Sequence, residues 1–205
     1  MGWAETYSTV FAPELMVIVG LVGLAAIESS VHDGTRRAAV ERVVTILFGA
    51  TIAIGITLVT PELLDGASAG DLQASLALIV GLGAIAAIWR HRDWGERVLW
   101  ACAAIVAVAA IHAAIVPFWN LSGHVAFSAV PLGLVALADR RFVWVALVPI
   151  GMMPARVGTG VHTPPEVIAG LGLAVLILAI VARARPEFRQ SWPTALGESG
   201  AVDRS

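Results

Sequence analysis

The stretch NLSGHVAFSAVPLGLVALADRRFVWVALVPIGMMPARVGTGVHTPPE, residues 120 to 166, decides how the chain is read. Two short polar groups, Ser122-Gly123-His124 and then Arg156 with His162 and Glu166, interrupt sequence that is otherwise apolar. Between them lie two apolar runs joined by Arg140 and Arg141, and a third apolar run begins directly after Glu166. Apolar runs of this length, with polar residues gathered at their ends, predict helices that cross lipid and carry their chemistry at the mouths.

Composition points the same way. Of the 205 residues, 58% are hydrophobic and 14% charged, with a mean hydropathy of +0.84. A soluble domain carries about 25% charged residues. The expected fold class is therefore all-α, a polytopic transmembrane helix bundle. The net charge of −2 says little, because in a membrane protein the sidedness of charge matters more than its sum. All 13 cationic residues are Arg. The absence of Lys excludes a retinal Schiff base, which needs a lysine amine, and suggests a GC-rich prokaryotic genome. The single Cys102 excludes an internal disulfide and reads as a packed thiol.

Outward from the opening stretch, apolar runs at about 10–27, 43–60, 72–89, 98–117, 123–139, 142–155 and 166–183 predict about seven spans. The sixth is short and carries Pro149, Gly151 and Pro154. Arginines mark alternate loops: Arg36, Arg37 and Arg42; Arg90, Arg92 and Arg97; Arg140 and Arg141; then Arg183, Arg185 and Arg189. The positive-inside rule makes those loops and the C-terminus cytoplasmic and the N-terminus external. Both polar clusters then fall on the external face. The expected organisation is a transmembrane helical domain over 1–185 and a disordered cytoplasmic tail over 186–205. Met1–Ser8 carries no positive charge and does not read as a signal peptide. Trp89, Trp94, Trp100, Trp119 and Trp144 fall near span ends, where interfacial anchors sit. Gly20, Gly23, Gly81, Gly83, Gly170 and Gly172 read as close-packing positions between helices.

The two clusters also have a family pattern. Leu121-Ser122-Gly123-His124, followed by Ala155-Arg156, five residues, His162, three residues and Glu166, resembles the type 2 phosphatidate phosphatase family. These membrane lipid phosphate phosphatases share an active-site plan with vanadium haloperoxidases. Their second motif is Pro-Ser-Gly-His and their third Ser-Arg, five residues, His, three residues, Asp. The resemblance covers about residues 98–185 and rests on two motifs of three. The family core has six spans, so one extra helix is expected at the N-terminus. The first family motif, a Lys and an Arg-Pro, has no placed counterpart. Arg90 and Arg97 reproduce its spacing but are expected at the opposite membrane face from Ser122.

The resemblance implies a role for each matched residue. His162 is the expected nucleophile, forming a phosphohistidine, and Glu166 the carboxylate that fixes its tautomer. His124 is the expected proton donor to the leaving alkoxide. Arg156 is expected to grip phosphate oxygens with its planar fork. Ser122 and Gly123 would offer backbone amides at a helix start, with His112 and Asn120 as possible further donors. An imidazole nucleophile calls for no metal or other cofactor, and no His, Cys and carboxylate set has zinc-site spacing. The expected partners are a lipid phosphate substrate and membrane lipids, with no nucleic acid. The bland readings are an arginine and histidine anchored to headgroups and, for His112, an intramembrane histidine satisfied by a neighbouring helix. The expected function is hydrolysis of lipid phosphate monoesters or isoprenyl diphosphates at the outer leaflet of the cell membrane. The alternative is a non-catalytic relative acting as a membrane binding or scaffold protein.

Overall fold

Proline sets several of the element boundaries in the computed structural model, which describes residues 2–32, 35–59 and 69–188. Helix α1, Trp3–Val10, stops at Phe11, and α2, Pro13–His32, begins on a proline whose missing N–H is no loss in a first turn. The expected first span at 10–27 is α2, which starts at Pro13 after the break at Phe11–Ala12 that ends the short α1. Next come α3, Arg36–Val59, α4, Ala69–His91, and α5, Arg97–Ile115, which ends just before Pro117. Then follow α6, Gly123–Ala138, a 3₁₀ segment at Arg140–Ala146, α7, Leu147–Gly158, α8, Pro164–Ala184, and a last 3₁₀ turn at Pro186–Phe188.

Among the described residues every regular element is helical. Five of these helices, α2 to α5 and α8, are long and apolar enough to cross a membrane. The expected bundle class stands on these five. The sixth expected run differs in detail: its first half is 3₁₀ and its second half is α7, twelve residues long.

The helices pack antiparallel along the chain from α2 onward, so that the N-terminal ends of α2, α4, α6 and α8 and the C-terminal ends of α3, α5 and α7 share one end of the bundle. Two close approaches hold pairs together. A Cβ on Gly81 of α4 would lie 2.5 Å from the Gly49 carbonyl oxygen of α3, and one on Gly20 of α2 would lie 3.0 Å from the Pro131 carbonyl carbon of α6. Small residues let backbones meet in this way where lipid supplies no hydrophobic drive between helices. Gly83 and Gly172, expected to do the same, face open space. Helix α1 lies against α7, where the Tyr7 hydroxyl donates to the Val148 carbonyl at 3.0 Å.

The other end of the bundle buries charge. Glu28 of α2 accepts from the Arg97 backbone N–H at 2.8 Å and from the Trp89 indole at 3.3 Å. Arg42 of α3, also buried, donates to the Ser29 hydroxyl and lies over the rings of Trp89 and Trp94. Trp89 is thus no interfacial anchor. It is fully buried, edge-on to Trp94 at 5.0 Å, because its indole N–H answers a buried carboxylate. Trp119 and Trp144 are exposed, as anchors require. Past α8, Phe188 is fully buried and Arg185 stacks on Trp100, so the described start of the expected tail is docked. Residues 189–205 lie outside the described residues.

Candidate functional site

A single reversal of the chain sets the distance from Arg156 to His162. Arg156 sits in the last turn of α7, Gly160 turns the chain at a φ of +72°, and the His162 N–H returns to the Arg156 carbonyl at 3.3 Å. A residue with a Cβ is strained in that left-handed region, whereas glycine is not. Thr163 then caps α8. The Glu166 carboxylate accepts the Thr163 backbone N–H at 2.8 Å, with Pro164 and Pro165 in the first turn.

The other cluster docks onto this turn. The Asn120 side-chain amide donates to the Val161 carbonyl at 3.0 Å, and the Ser122 N–H to the Glu166 carbonyl at 3.3 Å. Gly170 of α8 lets the Ser122 carbonyl come close: a Cβ there would lie 2.6 Å from that oxygen. His162 Nδ1 lies 3.1 Å from the Asn120 carbonyl, and a carbonyl only accepts, so Nδ1 carries the hydrogen. In the neutral ring Nε2 is then left with its lone pair. The Glu166 carboxylate lies 3.5 Å from the same Nδ1. Glu166 was expected to fix the tautomer, but the shorter bond comes from the Asn120 backbone, and the carboxylate is already engaged by the cap.

His162 is 6% exposed. Burial, then the positive charge of Arg156, lower its pKa from the ordinary 6.5, against the opposing pull of the Asn120 bond, Glu166 and Asp71. The imidazole is therefore neutral at pH 7. If its free nitrogen is the attacking group, the acid limb of kcat/KM falls below pH 6.5. Asp71→Asn, which removes a group holding the pKa up, should move that limb to still lower pH; a limb that stays in place in the variant contradicts the assignment.

His124, in the first turn of α6, is half-buried and faces a cavity of about 340 Å³ with Glu14, Asp71, Ser75, His112 and Gly123 also on its wall; Arg156 and His162 do not line it. Arg156, His162 and His112 are the charged or titratable groups acting on His124, and Asp71 acts on Arg156, His162 and His112. Arg156 Nε and Ser122 Oγ are buried without a partner, as are Ser8 Oγ, Arg42 Nε and Arg97 Nε elsewhere. Buried donors normally find an acceptor, so an orphaned guanidinium nitrogen beside two imidazoles suits an anion.

His112 joins the helices that hold this end. Its Nε2–H donates to the Leu121 carbonyl at 3.1 Å, and its Nδ1 lies 3.0 Å from the Ser75 hydroxyl of α4. It is a satisfied intramembrane histidine and also the support of the loop that presents His124. Gly123 must stay small beside it: a Cβ would lie 2.9 Å from Nε2. Gly123→Ala should push the ring off Leu121 and lower kcat about tenfold or more while the protein still folds, as a misplacement near the chemistry does. An unchanged kcat would show that the loop does not depend on His112.

Ser75, Asp71 and the Asn120 backbone carbonyl were missed by sequence reasoning as site groups. Asp71 and Ser75, four apart at the start of α4, were the available signal, since that spacing puts them on one helical face. Arg90 and Arg97 lie at the far end of α4 and the near end of α5, as expected, and do not join this site. Among the described residues no three His, Cys, Asp or Glu are placed to hold a metal ion. Compared with known proteins, the chain matches no family profile, no curated protein and no solved structure.

Proposed function

We propose that the chain is a membrane phosphatase that resembles the type 2 phosphatidate phosphatases and hydrolyses lipid phosphate monoesters or isoprenyl diphosphates at the outer leaflet. The observation that carries this reading is the docking of the Asn120–Gly123 loop on the Val161–Glu166 turn, which fixes one His162 tautomer beside Arg156. The topology fits seven spans. Helix α6, with 16 residues, covers about 24 Å, and the 3₁₀ segment with α7 covers about 32 Å together. With the loop arginines cytoplasmic, the N-terminus and the site face outward.

The chemistry then runs through this chain's own groups. His162 Nε2 attacks phosphorus, the phosphorus–oxygen bond to the lipid breaks, and the departing alkoxide takes a proton from His124, whose imidazolium forms only when the negative charge of the phosphate lies beside it. Water then attacks the phosphohistidine and gives a proton to His124, and the phosphorus–nitrogen bond breaks to release phosphate. Arg156 Nε and the amides at the start of α6 hold the nonbridging oxygens through the transition state.

A non-catalytic binding or scaffold role is the second reading. The negative charge of Asp71 on both Arg156 and His162 favours it, since it offsets the single arginine of the site. Phosphate release by purified protein from a lipid phosphate monoester and an isoprenyl diphosphate, without added metal, separates the two. Release well above that of empty micelles, lost in Arg156→Ala and not restored by Arg156→Lys, is the expected result. Release no faster than in empty micelles would leave only the binding role.

A further inference from the structure

Among the described residues, the wall of the cavity beside His124 holds two carboxylates, Glu14 and Asp71, and no arginine. The chain has no Lys to add. Each carboxylate is exposed at the mouth, in the first turn of its own helix, α2 for Glu14 and α4 for Asp71. Among the described residues no side chain forms an ion pair with either. The positive end of a helix accounts for an acid in a first turn. It does not account for two of them on one cavity, where like charges repel until a cation lies between them.

Behind the mouth the cavity is apolar. Val17, Leu78 and Phe127 line it, and Phe127 packs against His112 with ring centroids 5.4 Å apart. His112 Nε2 is taken by the Leu121 carbonyl and Nδ1 by the Ser75 hydroxyl, so this imidazole has no nitrogen to spare for a guest. At about 340 Å³ the cavity is at the small end of ligand pockets, which run from about 300 to 1,000 Å³. Past Leu78 only about 40 Å³ remains between α2 and the α3–α4 pair, room for water and no more, so a guest ends there. A bare metal ion does not suit the cavity either, since among the described residues no three His, Cys, Asp or Glu are placed to hold one.

We infer that this cavity binds a compact organic cation, a protonated amine on an apolar body, with its ammonium between Glu14 and Asp71 and its body against Val17, Leu78 and Phe127. The ammonium supplies N–H donors to both carboxylates, and the body takes apolar wall out of water. A lipid headgroup amine fits less well, because its neighbour is a phosphate and not an apolar body. The cation site does not rest on the phosphatase reading, but it acts on the same chemistry. Asp71 acts on Arg156 and His162, so a cation beside Asp71 cancels the charge that offsets the arginine. A cation in the cavity and an anion at Arg156 then strengthen each other, by the same factor in both directions.

The test is calorimetric titration of the full chain in neutral detergent micelles with 2-phenylethylammonium, set beside its uncharged counterpart 2-phenylethanol. Saturable binding of the amine, about tenfold or more tighter than the alcohol, is expected. Glu14→Gln and Asp71→Asn should each weaken it about fivefold or more, and inorganic phosphate should strengthen it about fivefold. Alcohol binding as tight as the amine, or amine binding indifferent to both substitutions, overturns the inference. Displacement of the amine by an equal concentration of ethanolamine phospholipid in the micelles overturns it too, by assigning the cavity to a headgroup. Amine binding that meets these expectations but ignores phosphate would keep the cation site and sink the anion site on which the phosphatase reading depends. The comparison of amine with alcohol is made on the parent protein and decides the matter even if a variant does not fold.

Discussion

His162→Ala should remove at least about 10⁴-fold of the phosphate release from a lipid phosphate monoester, with thermal unfolding little changed. The size of the effect follows from the role. If Nε2 is the nucleophile, deleting the ring removes the covalent route, and the remaining groups can only bind the substrate and polarise it. The small cost in stability follows from position. His162 lies in a turn, and its alanine variant gives up one bond to the Asn120 carbonyl while the Asn120 amide still holds Val161. That lost bond contributes about 1 kcal/mol. A variant that folds and retains more than a small fraction of activity would move the chemistry away from this ring. His124→Ala should cost less, about 10² to 10⁴-fold, because a proton donor can be partly replaced by water.

The second large effect is at the other end of the bundle and concerns stability alone. Gly95 has a φ of +109°, which L side chains rarely adopt, and a Cβ there would lie 2.5 Å from the Glu28 carboxyl carbon. Gly95→Ala therefore strains the backbone by about 1–3 kcal/mol. It also displaces a buried carboxylate from the Arg97 N–H and the Trp89 indole, and an unsatisfied buried group costs about 1–3 kcal/mol more. A loss of about 3 kcal/mol or more is expected, read as a fall in the thermal midpoint in micelles. At a temperature where the variant is folded, its kcat should match the parent, since the two ends are separated by the length of α4. An unchanged midpoint would mean that the Glu28 cluster contributes little to the fold.

Much of the bundle was legible in the sequence because lipid imposes a simple rule. A chain that cannot hydrogen-bond to its solvent must be helical, and apolar runs of about 20 residues mark where. The runs expected at 10–27, 43–60, 72–89, 98–117 and 166–183 correspond to α2, α3, α4, α5 and α8. Their ends were less legible, since Arg36 to Arg42 are hydrophilic yet helical, and Arg42 is buried through partners on α2 and in the α4–α5 loop. The short helix α1 before Pro13 carries too few apolar residues to read as a span, and only that proline marks where α2 begins.

The site was legible where side-chain type and spacing carry the information and illegible where the backbone does. Arg156, His162 and Glu166 follow from spacing across one turn, and Ser122 to His124 from a helix start. No sequence feature shows that the Asn120 carbonyl, and not Glu166, holds the shorter bond to His162. The pairing of Ser75 with His112 needs two helices to meet, which periodicity on either helix alone does not encode.

In the proposed enzyme the Asn120–Gly123 and Val161–Glu166 loops, whose contacts join residues 41 and 42 positions apart, form one anion site whose nucleophile is His162. Rapid quenching of the protein with a labelled lipid phosphate, followed by digestion under the alkaline conditions in which phosphohistidine survives, tests this most directly. One phosphorylated peptide, the one carrying His162, is expected in the parent protein and is absent from His162→Ala. Phosphate release without that peptide, or a phosphoryl group found on another residue, would contradict it.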